Sequence, residues 1–109
     1  MTTVSTAGLK VTPTMGVYAA TKNAVRTVME TLHQESTDGV IRTTSINPGF
    51  VSTELANTID DAEIRARIQS NMDAFGLAPE AVARAIAFAI DQPDDVEIGE
   101  ITIRPTVQD

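Results

Sequence analysis

The sequence predicts an α/β domain built on a parallel sheet, and three observations carry that prediction. Residues 15–37 repeat apolar side chains at helical spacing. VIRTTSI at 40–46 is short and rich in β-branched residues, and IGEITIR at 98–104 resumes that character after two further helical stretches. Strands joined by a helical crossover run parallel, since a tight hairpin connects only antiparallel neighbours. The 109 residues suffice for one domain, expected over 1–109, and are too few for two.

The long helix comes first. With Tyr18 at zero and a step of about 100° per residue, Val17, Ala24, Val25, Val28, Met29 and Leu32 fall in one arc, with Asn23, Thr27, Glu30 and Gln34 opposite. Asp38-Gly39 ends it, glycine suiting a left-handed cap. The strand at 40–46 stops at the turn Asn47-Pro48-Gly49. A polar stretch from Ser52 to Asp60 leads into a helix over 60–74. Pro79 belongs in the first turn of a third helix, where its missing N–H costs nothing, and Glu80 beside it complements the dipole. That helix runs to about Asp91, with Val82, Ile86, Phe88, Ala89 and Ile90 as its apolar surface. Gln92-Pro93-Asp94-Asp95 is a loop before the last strand.

Composition narrows the function classes. There is no cysteine, which excludes disulfides, thiolate metal sites and thiol catalysis. A net charge of −7 repels nucleic acid and anionic lipid, so neither is an expected partner. No apolar run reaches the roughly 18 residues needed to cross a bilayer. MTTVSTAGLKV has no basic region followed by an apolar core, so cytoplasm is the expected compartment. Asp60, Asp61 and Glu63 fit a solvated helix start better than a metal site, and no metal is expected. His33, the only histidine, lies 15 residues beyond Tyr18, about 22 Å along the helix, and cannot share its site.

Chemistry enters at VYAATKN, residues 17–23. Tyr18 and Lys22 are an i, i+4 pair on one side of the helix, with only Ala19, Ala20 and Thr21 between them. A free phenol titrates near pH 10; neutral acid/base work needs a depression of about 3 units, or about 4 kcal/mol. A cation about 5 Å away supplies roughly 3 kcal/mol at an effective dielectric of about 20. Ser5 lies 13 residues before Tyr18 in VSTAG, and PGFVST at 48–53 follows the next strand. Taken alone, Ser5 fits a turn and Thr53 a cap for a helix beginning near Glu54.

Together, the serine stretch, Y-x-x-x-K and N-P-G continued as P-G-x-V-x-T resemble the short-chain dehydrogenase/reductase family over essentially the whole chain. The resemblance implies the C-terminal part of a Rossmann-like doubly wound parallel sheet: long helix, strand, two helices, strand. It implies NAD(P) as cofactor and hydride transfer to or from a small carbonyl/alcohol substrate. Catalytic roles would fall to Ser5, steadying the substrate oxygen; Tyr18, the acid/base; and Lys22, which would bind the nicotinamide ribose and lower the phenol's pKa. Pro48, Gly49, Val51 and Thr53 would complete the nicotinamide site. Phe50, with residues 52–75 and Leu55 among them, would form a flap over the substrate. The helix at 15–37 would mediate a homo-oligomer.

The glycines at 8, 16, 39, 49, 76 and 99 match no G-x-x-x-G-x-G or G-x-G-x-x-G spacing, so the turn that cradles a dinucleotide pyrophosphate is not encoded here. Two expectations follow. The chain is a truncated or partial oxidoreductase, inactive without a dinucleotide-binding half. Alternatively, it is a non-catalytic oligomerising or interaction fragment that keeps the motifs by descent.

Overall fold

The computed structural model describes every residue from Met1 to Asp109. It comprises β1 (Thr2–Thr3), α1 (Gly16–Glu35), β2 (Ser45–Pro48), α2 (Ala62–Phe75), α3 (Pro79–Ile90) and β3 (Glu100–Ile103), with 3-10 turns at Thr6–Gly8 and Leu55–Thr58. The strands form one parallel sheet in the order β1–β2–β3, with Thr2 opposite Ser45 and Ser45 opposite Glu100. The Rossmann-like α/β architecture predicted from the sequence is therefore observed. No helix is long and apolar enough to cross a membrane.

The three helices form within a few residues of the expected bounds. Asp61 caps α2 through Oδ1, which accepts from the N–H groups of Glu63 and Ile64. Pro79 opens α3 as predicted. Gly39 does adopt the left-handed region, φ 80°, but in the turn after α1, which already ends at Glu35.

The strands depart further. β1 precedes the long helix, where the sequence suggested none. Two threonines carry no periodicity, and only pairing reveals them: Thr2 N–H donates to Thr44 O at 2.9 Å and Val4 N–H to Ile46 O at 2.6 Å. The second strand is Ser45–Pro48, not 40–46, so Asn47 and Pro48 lie within it. Residues 40–44 are diverted by long-range side-chain bonds. Arg42 donates to the carbonyls of Ile90, Gln92, Pro93 and Val96, capping the end of α3, and Thr43 N–H donates to Glu97 Oε2. Thr43 N–H is thereby spent on a side chain and not on a neighbouring strand, and Val40 and Ile41 remain exposed.

The largest departure concerns the orientation of α1. Most of the predicted apolar arc does not pack on the chain: Val17 is 83% and Val28 64% exposed, and of the arc only Met29 is half-buried. The half-buried stripe is instead Tyr18, Lys22, Arg26, Met29 and His33. It faces the sheet surface that bears Asn47 and Glu100, as the Arg26–Glu100 ion pair requires. Ile46, Ile101 and Ile103 alternate to the opposite surface. The fully buried apolar residues are Val4, Ile46, Ala56, Met72 and Ala89, a thin core. The radius of gyration of 15.2 Å exceeds the roughly 13 Å typical of a compact domain this long.

Candidate active site

The predicted site residues follow the ends of β1 and β2 or lie in the first turns of α1. Ser5 follows β1 and starts a 3-10 turn, its Oγ accepting from Ala7 N–H at 3.1 Å. This leaves the serine O–H free to donate. The turn is held against α1 beside Lys22. A Cβ on Gly8 would lie 3.2 Å from Lys22 C and 3.3 Å from Asn23 N, so glycine permits the approach. Asn23 Nδ2 fastens it by donating to Gly8 O at 3.1 Å. Tyr18 and Lys22 are both half-buried, with the ammonium 5.7 Å from the phenol ring centroid. No carboxylate forms an ion pair with Lys22.

Pro48 closes β2, and the next four residues differ in one respect. Gly49 N–H donates to Ile103 O, Phe50 N–H to Gln108 Oε1 and Ser52 N–H to Leu77 O, each at 2.8 Å. Val51 N–H donates to no protein acceptor. A half-buried N–H left over among bonded neighbours suits a carboxamide acceptor. With an unpaired ammonium at Lys22, the donor set fits the nicotinamide end of a dinucleotide. Thr53 Oγ1 accepts from Leu55 N–H at 3.3 Å, the local capping role weighed above, and both residues are exposed.

Phe50 does not float free. Its ring meets Phe75 edge-on, centroids 5.4 Å apart, and its carbonyl accepts from Leu77 N–H. Ser52 Oγ bonds Met72 O, and a Cβ on Gly76 would lie 2.6 Å from both Met72 O and Ser52 Oγ. The C-terminal end of α2 is thus anchored to the 50–52 loop. On its other flank, Arg67 Nη2 donates to Thr14 Oγ1 at 2.8 Å; Thr14 lies four residues before Tyr18 and has φ 70°. His33 is remote from Tyr18 and pairs with Glu97, Nδ1 to Oε1 2.7 Å.

Sequence reasoning missed a polar network beneath the site. Arg26 donates from Nε to Glu100 Oε1 at 2.7 Å and from Nη2 to Oε2 at 3.1 Å. Asn47 Nδ2 donates to the same Oε1 at 2.7 Å. Asn47 is 0% exposed, and its Oδ1 has no partner. Hydrogen bonds from Arg26, reinforced by Asn47 and the guanidinium charge against partial burial, hold Glu100 below the ordinary glutamate range. The hydrogen bond to Glu100, then its charge, raises Arg26. Arg26 shares the stripe of Tyr18 and Lys22 at the same spacing, a signal legible in the sequence; Gln108 offered none.

A depressed carboxylate contributes stability above its unfolded pKa and loses it as pH falls through the folded value. Glu100→Gln is therefore expected to lower the melting temperature at pH 7, the gap closing as pH drops below about 4. Melting curves of both proteins across that range check this; a gap constant with pH would exclude the ion pair as its source.

Known proteins share the sequence and fold of this chain. The short chain dehydrogenase family matches residues 1–64. An uncharacterized oxidoreductase of Listeria monocytogenes is 46% identical over 108 residues, covering 97% of this chain and 44% of that protein. Among solved structures, the closed form of serine dehydrogenase complexed with NADP+ is similar at 29% identity and a TM-score of 0.87, covering 98% of this chain and 44% of that one. A 4-hydroxyisoleucine dehydrogenase complexed with NADH and succinate is similar at 26% identity and a TM-score of 0.70, covering 94% and 42%. The chain spans under half the length of these proteins. By the family match and the fold alike, it belongs to the short-chain dehydrogenases.

Proposed function

We propose that the chain forms the substrate and nicotinamide side of an NAD(P)-dependent oxidoreductase acting on a small carbonyl/alcohol pair. The observation that carries this reading is the half-buried Tyr18–Lys22 pair, clamped to the Ser5 turn through Gly8 and Asn23. When bound, the nicotinamide supplies the hydride chemistry. Ser5 donates its O–H to the substrate oxygen and orients it. Tyr18 gives that oxygen a proton in reduction and takes one in oxidation. Lys22 stabilises the phenolate and donates to the nicotinamide ribose. Val51 N–H receives the carboxamide, and Pro48 and Gly49 border the ring. The similar structures hold NADP+ in one case and NADH in the other, which supports a nicotinamide cofactor without choosing between the two. The outward stripe of Val17, Val25, Val28 and Leu32 supports a homo-oligomer formed through α1.

Lys22→Ala tests the reading in an active enzyme containing this segment. Loss of a charged hydrogen bond, about 1.5–3 kcal/mol, should weaken cofactor affinity roughly ten- to a hundredfold. The turnover rate should fall with it. Normal affinity with an unchanged rate would make Lys22 a surface lysine and sink the proposal.

A further inference from the structure

We propose that Asn47, Glu100 and Arg26 are positioning residues that set the distance between the two halves of the nicotinamide site. This rests on the functional reading above. One half of that site is the Tyr18–Lys22 stripe of α1; the other is the Pro48–Val51 loop. Arg26 is the next residue down the same stripe, one turn below Lys22, and Asn47 is the residue immediately before Pro48. Glu100, on the neighbouring strand, takes hydrogen bonds from both: 2.7 and 3.1 Å from Arg26, and 2.7 Å from Asn47. Three side chains thus form an unbroken polar strut from helix to strand beneath the site.

The chemistry at Asn47 argues against a role in stability alone. The position is wholly buried, where an aliphatic side chain would serve the core. Glu100 accepts only, so it dictates that the amide point its Nδ2 inward, and Oδ1 is left buried with no donor. An orphaned buried acceptor is destabilising. A sequence that keeps an unfavourable polar group in a buried place is expected to do so at a functional site. The Arg26–Glu100 pair, by contrast, is partly exposed and adds little stability by itself. What the three supply together is geometry: short, directional bonds that fix the rotation of α1 about its axis and its height above β2.

Asn47→Leu separates the two roles, since it removes the tie to the strand, carries no charge and abolishes the orphan. In an active enzyme containing this segment, the melting temperature should hold or rise. NAD(P)H affinity and kcat should fall together, on the order of ten- to a hundredfold, as a small misplacement of reacting groups would cause. Should Asn47→Leu fail to fold, Glu100→Met removes the acceptor shared by Arg26 and Asn47 with little change in volume, and affinity and kcat are read below that variant's own melting temperature. Wild-type affinity and rate in a folded variant would overturn the proposal. So would losses that merely follow the melting temperature and vanish on cooling. If the unsubstituted enzyme itself neither binds nor uses NAD(P)H, the functional reading fails first, and the strut with it.

Discussion

Tyr18→Phe in an active enzyme containing this segment abolishes turnover and leaves the fold intact. General acid/base groups contribute about 10²–10⁴-fold, and no other side chain on the inward stripe of α1 is a phenol or a carboxylate that could replace it. The substitution removes one oxygen from a half-buried ring and keeps its shape, so stability should change by less than about 1.5 kcal/mol. The cation above the ring also survives, since Lys22 lies over the face rather than depending on the hydroxyl. Steady-state rates, NAD(P)H affinity and a melting curve check the three parts separately. A variant keeping a tenth or more of the wild-type rate would remove Tyr18 from the acid/base role.

The second large effect is a failure to bind. The 109-residue chain alone should bind NADH and NADPH at millimolar strength or worse and turn over no alcohol. Most of the grip on a dinucleotide comes from backbone N–H groups of a Gly-rich turn around the pyrophosphate, and no such spacing occurs among the six glycines. What remains, on the function proposed above, is Lys22 for the ribose and Val51 N–H for the carboxamide, with Pro48 and Gly49 for the ring. Contacts worth about 1 kcal/mol net each barely offset an immobilisation cost of roughly 4 kcal/mol or more. The net charge of −7 opposes an anionic ligand as well. Calorimetric titration of the purified chain tests this; saturable micromolar binding would mean that these residues build a fuller cofactor site than the one described.

The parts of the fold that local chemistry decides were legible in the sequence. Proline at the start of α3 and the aspartate cap of α2 announce themselves within one turn, and all three helices appear accordingly. The strand at 45–48 was displaced because Arg42 and Thr43 bond to groups some fifty residues away, and no local pattern encodes that competition. The face of α1 was misread for a related reason. Periodicity shows which side chains avoid water, not what faces them, and in this chain a polar stripe faces the sheet through the Arg26–Glu100 and His33–Glu97 pairs. The Tyr18–Lys22 pair was legible because its spacing is intrahelical. The Asn47–Glu100 bond joins residues 53 apart and becomes visible only once β2 and β3 are paired.

The two flanks of α2 are unequally secured, and this gives the helix the mechanics of a door. Its C-terminal end is a hinge of interlocking contacts: Phe50 on Phe75, Ser52 on Met72, and a glycine at 76 that admits no side chain. At Thr14 it is held by a single exposed hydrogen bond. Breaking such a bond costs about 1 kcal/mol, so roughly one molecule in six lacks it at any moment. Thr14 is a non-glycine residue in the left-handed region, so any relaxation of its backbone on release offsets part of even that cost. The edge of α2 beside Thr14 is therefore the one expected to lift first, with its C-terminal end as the pivot.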